Sequence, residues 1–320
     1  MSDLITTLKA AIPIVSLALQ GSIAALFTMF FVRRTTASSE IEKLKAGKFT
    51  EVIENLLETG SMTYFEFAKC KNFLQIAQLA DKRLVAEEEI KKGGDVKKSK
   101  VADKETGTEM NFDWFLRFFE AASYITEEDM QCLWSDILSN KITKRTNFSL
   151  KTMEIFRNMS MEEVIMFTNA LNCVIYSEYG DGSFFASEQR DEVELNNQYG
   201  IGISTLQKLA ELGLVNSVPF EEEFSSLEEY WILHNNNICL KFAIKGNFTF
   251  SLSYYVLTQA GIQLQKVIGT EPDDNYLLNL GCLFKEKYHD SMTIAAYNLL
   301  RIDDETIEYD KEHDLLSTNQ

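Results

Sequence analysis

Proline is scarce in this chain, with 3 residues in 320, and only 15 glycines accompany it. So few breakers exclude long turn-rich linkers and favour continuous secondary structure. Histidine is equally rare: His234, His289 and His313 stand far apart, and none belongs to a His-Glu-x-x-His pattern. There is no Gly-rich phosphate loop ending in Lys-Ser/Thr, no Gly-x-Ser-x-Gly elbow and no Cys-x-x-Cys. These absences point away from nucleotide hydrolases, serine hydrolases, zinc sites and thioredoxin-like chemistry. No catalytic residue, cofactor or metal ligand is therefore expected. The five cysteines, Cys70, Cys132, Cys173, Cys239 and Cys282, are odd in number and lie in apolar or helical contexts. They read as reduced core residues of a cytoplasmic protein.

Basic charge is missing from the second half. Residues 151–320 hold 11 Lys+Arg against 27 Asp+Glu, so they carry nearly all of the chain's net charge of −17. Such a surface repels nucleic-acid backbone and anionic lipid. Basic residues gather instead after the N-terminal apolar segment and at 91–104, where Lys91, Lys92, Lys97, Lys98, Lys100 and Lys104 fall. A solvated tether explains them, and contact with anionic headgroups is the functional alternative.

What is present is an uncharged run from Ala10 to Val32, bounded by Lys9 and by Arg33-Arg34. As a helix rising about 1.5 Å per residue it is long enough to cross a hydrocarbon core of roughly 30 Å. Positive charge after the run places the remainder in the cytoplasm. The acidic start and the lack of a small-residue cleavage site argue against a signal peptide. The expectation is a single-pass anchor in the inner membrane with a cytoplasmic body. The rival is a buried or partner-docking helix, supported by Gln20-Gly21-Ser22 at mid-span and by Pro13.

The expected fold is mainly α, with an N-terminal transmembrane helix, a helical bundle and an α+β winged-helix-like C-terminal module. The boundaries are an anchor at 1–34, a helical segment at 35–90, a linker at 91–110, the bundle at 111–172, the winged-helix-like module at 173–270 and an acidic region at 271–320. A disordered tail is expected from Asp303. Within the bundle, Thr126 with Asp129 resembles a capping arrangement, and Ser149 and Met161 open further helices. In the module, a helix from Ile203 to Leu212 closes at Gly213. Strand-like runs at 231–233, 238–244 and 248–256 supply the wing, and Thr258 caps a last helix.

The polar and aromatic members of the densest block are Asp113, Trp114, Arg117, Glu120, Gln131 and Trp134. Asp113 and Arg117 share a helix face, so an ion pair fixing the bundle competes with a ligand pocket or catalytic acid. Trp114 and Trp134 read as core packing rather than a base-stacking platform. The helix at 203–212 offers only Lys208 and carries Glu211, and Glu221-Glu222-Glu223 precede the wing. A DNA reader needs a basic footprint. The partners expected are the membrane and a protein or a second copy of the chain, not nucleic acid.

The string Asp113-Trp114-x-x-Arg117-Phe118-Phe119-Glu120-Ala121-Ala122, followed by Met130-Gln131-x-Leu133-Trp134-x-x-Ile137-Leu138, resembles an uncharacterised bacterial family, domain of unknown function two-eight-zero-six. Leu209-x-x-Leu212-Gly213-Leu214 and Leu257-Thr258-x-x-Gly261 are similar to its C-terminal part. The likeness covers roughly residues 65 to 268. At Asn140-Lys141 and Arg145-Thr146 the chain departs from the family's loop. A similar Leu-Trp helix in abortive-infection proteins implies a bacterial antiviral role. The function expected is a membrane-anchored, cytoplasm-facing sensor or interaction protein in phage defence. The alternative is a soluble winged-helix-type regulator or nucleic-acid-associated protein whose apolar N-terminus docks on a partner.

Overall fold

The computed structural model describes Ile23 and residues 39–93, 112–143, 148–177, 180–225, 230–302 and 306–317. The chain divides into two compact units, Met1–Arg157 and Asn158–Gln320.

The first unit is helical: α1 Ser39–Glu58, α2 Tyr64–Gly93, α3 Phe112–Ala122, α4 Glu128–Ile142 and α5 Leu150–Arg157. In α3, residues 114, 115, 118, 119, 121 and 122 recur at helical spacing and are all buried. Phe73 of α2, fully buried, meets Phe115 edge to face at 5.4 Å and Phe119 at 5.0 Å. Trp134 of α4, also fully buried, bridges Phe118 at 5.3 Å and Phe156 of α5 at 5.2 Å. Truncating an aromatic in such a site to alanine costs about 3–5 kcal/mol. The start of α4 differs from the sequence expectation. Its cap is Glu127, with no side-chain bond, and Thr126 does not cap it. The reciprocal capping box lies at Ser160 and Glu163 instead.

The second unit contains α6 Met161–Leu171, β1 Tyr176–Ser177, β2 Ser183–Ala186, α7 Arg190–Gln198, α8 Ile203–Glu211, β3 Phe220–Ser225, β4 Trp231–His234, β5 Ile238–Ile244, β6 Thr249–Val256, α9 Gln259–Ile268, α10 Asp274–Lys287, β7 Met292–Ile302 and β8 Ile307–Tyr309. Its strands form a five-stranded sheet in the order β1-β4-β5-β7-β8 and a three-stranded sheet in the order β2-β6-β3. All the pairings are antiparallel. The two sheets share one aromatic core. Trp231 of β4 stacks on Phe224 of β3 at 4.4 Å and on Phe242 of β5 at 5.1 Å. Phe284 of α10 closes on Phe250 of β6 at 5.6 Å.

Several expectations are corrected here. Among the described residues eight strands in two sheets stand beside the helices, so the fold is not mainly α. Among the described residues no helix is long and apolar enough to cross a membrane. The run from Ala10 to Val32 lies outside the described residues apart from Ile23, which is helical and 1% exposed. The expected transmembrane helix and the single-pass inner-membrane location are corrected on the absence of such a helix among the described residues.

The wing also has a different composition. The strands at 231–234 and 238–244 leave the three-stranded sheet and join β7, with Phe242 opposite Ile294. The three-stranded sheet is completed by β2 and β3 on either side of β6. The acidic C-terminus holds β8, and Leu316 is 4% exposed, where a disordered tail is expected.

Candidate functional site

The residues singled out in the sequence do not converge on a pocket. Asp113 and Arg117 form an ion pair at 3.4 Å on the solvent face of α3, with side chains 67% and 57% exposed. A pair so exposed contributes little to stability. Glu120 is exposed on the same helix. Trp114 is buried, stacks on Phe118 at 5.1 Å, and donates its indole N–H to the Phe148 carbonyl at 3.1 Å. Gln131 is buried and donates to the Ile125 carbonyl at 2.8 Å and to Gln75 Oε1 at 3.3 Å. Trp134 fills the core, and its Nε1 has no hydrogen-bond partner. Trp114 and Trp134 meet through Phe118, whereas Asp113, Arg117 and Glu120 stay outside. Lys141, 3% exposed, holds its ammonium 5.4 Å from the Trp114 ring, and burial lowers its pKa.

The second unit holds a cavity beside a pair of short helices. Helices α7 and α8 are joined by the four residues Tyr199, Gly200, Ile201 and Gly202, which is helix-turn-helix spacing. Gly200 sits at φ +73°, in the left-handed region that glycine adopts without strain. Asn196 locks the motif to the sheet. Its amide donates to the Phe185 carbonyl at 2.8 Å, and its Oδ1 accepts from the Tyr276 hydroxyl at 3.1 Å.

Beside the motif, β2 ends at Ala186 opposite Ser253, while β6 continues back to Thr249. The chain turns away there into α7 and leaves a cavity of about 700 Å³ between α7, α8, β6 and α10. Its walls include Phe250, Tyr255, Phe284 and Tyr288, and Glu188 and Glu221 also line it.

Glu192, 4% exposed, lies in the wall and accepts from Lys287 Nζ at 2.5 Å. Lys287 also donates to Gln189 Oε1. Burial alone would lower the Lys287 pKa, yet Glu192 and Tyr288 hold it above its ordinary value. The sequence gives no local signal for this pair, because its members lie 95 positions apart.

A further polar feature lies outside this cavity. His234 is 5% exposed, stacks on Tyr176 at 5.4 Å, and its Nδ1 has no partner. Burial pushes its pKa down to about 4. Among the described residues, no group of three or more His, Cys, Asp or Glu is placed to hold a metal ion.

No curated protein and no solved structure matches the chain. The defence role implied by the likeness to abortive-infection proteins gains no support from these comparisons. Residues 88–281, more than half of the chain, match the family described as Protein of unknown function (DUF2806), and the chain belongs to that family.

Proposed function

We propose that this chain is a regulator built on a helix-turn-helix that engages a protein partner, with the outward face of α8 as the contact. The observation that carries the reading is the chemistry of that face. Its exposed residues are Ile203, Ser204, Gln207, Lys208 and Glu211, one cation balanced by one anion. A helix that enters a DNA groove relies on cations to neutralise phosphates and displace counterions. Here the neighbouring surface is apolar and acidic. Ile203 is 53% exposed, and Val218 and Phe220 are 72% and 56% exposed. Ile203 and Pro219 line the same cavity. Glu221 and Glu223 are exposed on β3 beside it. Apolar anchors with a polar rim are the pattern of a protein interface. The apolar N-terminal segment is a second docking element in this reading.

Fluorescence anisotropy of a labelled DNA duplex, titrated with the full chain at low salt, tests the proposal. The expected outcome is no saturable binding. Saturable binding whose log affinity falls linearly with the logarithm of salt concentration, and that is lost in Lys208→Glu, overturns it.

A further inference from the structure

We propose that the outer edge of β3 takes up an extended segment of a protein partner as an added antiparallel strand, with Lys or Arg at the alternate positions that face Glu221 and Glu223. This rests on the reading of the α8 surface as protein-facing, and it names the chemistry of what docks beside it.

The backbone supplies the template. In the order β2-β6-β3, β3 is an edge of its sheet and pairs with β6. Bonds just beyond the strand fix which way β6 presents its groups. The Val256 carbonyl accepts the Asn216 N–H on the β3 side, and the Leu257 N–H donates to the Gly182 carbonyl on the β2 side. Such groups alternate along an antiparallel strand, so Phe250, Leu252 and Tyr254 turn theirs to β3. Their register partners are Phe224, Glu222 and Phe220. The intervening Glu221 and Glu223 therefore turn their N–H and C=O outward. Among the described residues no further backbone bond meets them. An edge with open groups of this kind is where a strand of another chain pairs.

The side chains select the occupant. Glu221 and Glu223 are exposed on one face of the strand. Among the described residues no cation forms an ion pair with either. Glu222, on the other face, accepts from the Tyr254 hydroxyl. Residues directly opposite in an added antiparallel strand lie about 5 Å apart between Cβ atoms, where opposite charges attract and like charges repel. A second copy of this chain, pairing β3 with β3 about Glu222, sets Glu221 against Glu223 and is disfavoured. A segment with a cation at each of those positions is favoured. On the face of Glu222, Phe220 is 56% exposed although its ring stacks on Tyr254 at 6.1 Å. Apolar residues between the cations suit that face.

Fluorescence anisotropy of a labelled hexapeptide of alternating lysine and valine, titrated with the full chain, tests the proposal. In the antiparallel register the lysine amides point at β3 and the valine amides point away. The expected result is saturable binding that survives N-methylation of the valines and is weakened about tenfold or more by N-methylation of the lysines. The double variant Glu221→Gln, Glu223→Gln should weaken it about as much. Both carboxylates are exposed, so the unfolding midpoint of that variant should match the parent's. No binding, equal binding of the two methylated peptides, equal binding of a peptide with glutamate in place of lysine, or no effect of the double variant would each overturn the strand-addition site. None of these touches the assignment of α8, which the DNA titration reads separately.

Discussion

Thr258 donates its hydroxyl to the Gly213 carbonyl at 2.6 Å, joining the start of α9 to the turn that ends α8. The same oxygen accepts the Gly261 N–H at 3.2 Å, capping α9. The Thr258 amide donates to the Leu214 carbonyl at 2.9 Å. Two sequence pieces about 45 residues apart, Leu212-Gly213-Leu214 and Leu257-Thr258-x-x-Gly261, therefore form one junction. Gly213, at φ +77°, provides the turn. Gly261 provides the close approach, because a Cβ there would lie 2.2 Å from the Leu214 carbonyl oxygen.

Substitutions at this junction should be costly in proportion to what they disturb. Thr258→Ala is expected to destabilise the second unit by about 2 kcal/mol, combining a lost cap with a lost half-buried hydrogen bond. Thr258→Ser should retain most of that stability. Gly261→Ala should cost about 2–3 kcal/mol by forcing helix and backbone apart. Urea denaturation followed by circular dichroism checks the ranking, and a neutral Gly261→Ala would contradict the close approach.

The aromatic block of the first unit separates a structural tryptophan from a surface ion pair. Trp114→Phe loses the bond to the Phe148 carbonyl, and should cost about 1–2 kcal/mol. Asp113→Ala and Arg117→Ala break an exposed pair at 3.4 Å and should each change stability by less than about 0.5 kcal/mol. Thermal unfolding of the three variants measures the contrast.

His234 makes stability depend on pH. Burial depresses its pKa from 6.5 to about 4, so the unfolded chain binds its proton at a higher pH than the folded chain. The folded state is favoured with His234 neutral above pH 6.5, and that contribution is lost progressively as the pH falls from 6.5 towards 4. The full loss is about 3 kcal/mol for a shift of this size. His234→Leu removes the titration, and unfolding free energies at pH 7 and pH 4.5 should differ less in that variant than in the parent. An unchanged difference would contradict the role of this histidine.

Local elements are legible where local chemistry decides them. The aromatic spacing of 112–122 yields α3, Gly213 closes α8, and Thr258 caps α9. Partner choice over long distances is not. Residues 231–244 have strand-like composition whichever sheet they join, and their union with β7 depends on residues 292–298. An uncharged run such as Ala10–Val32 has similar composition whether lipid or protein covers it. Glu192 gives no sign of burial in its own segment, since Lys287 is supplied by another helix. The cavity is invisible to periodicity for the same reason. It exists because β2 stops at Ala186 while β6 runs on to Phe250 and Thr249.

The central claim, that α8 faces a protein and not DNA, is tested most directly by a photo-crosslinking side chain placed at Gln207 of the full chain in its native cells. Gln207 is exposed on the outward face of α8. The account predicts a discrete adduct that survives nuclease, is removed by protease, and is absent when the probe is moved to exposed Glu162 of α6. An adduct at Gln207 that is removed by nuclease would contradict it.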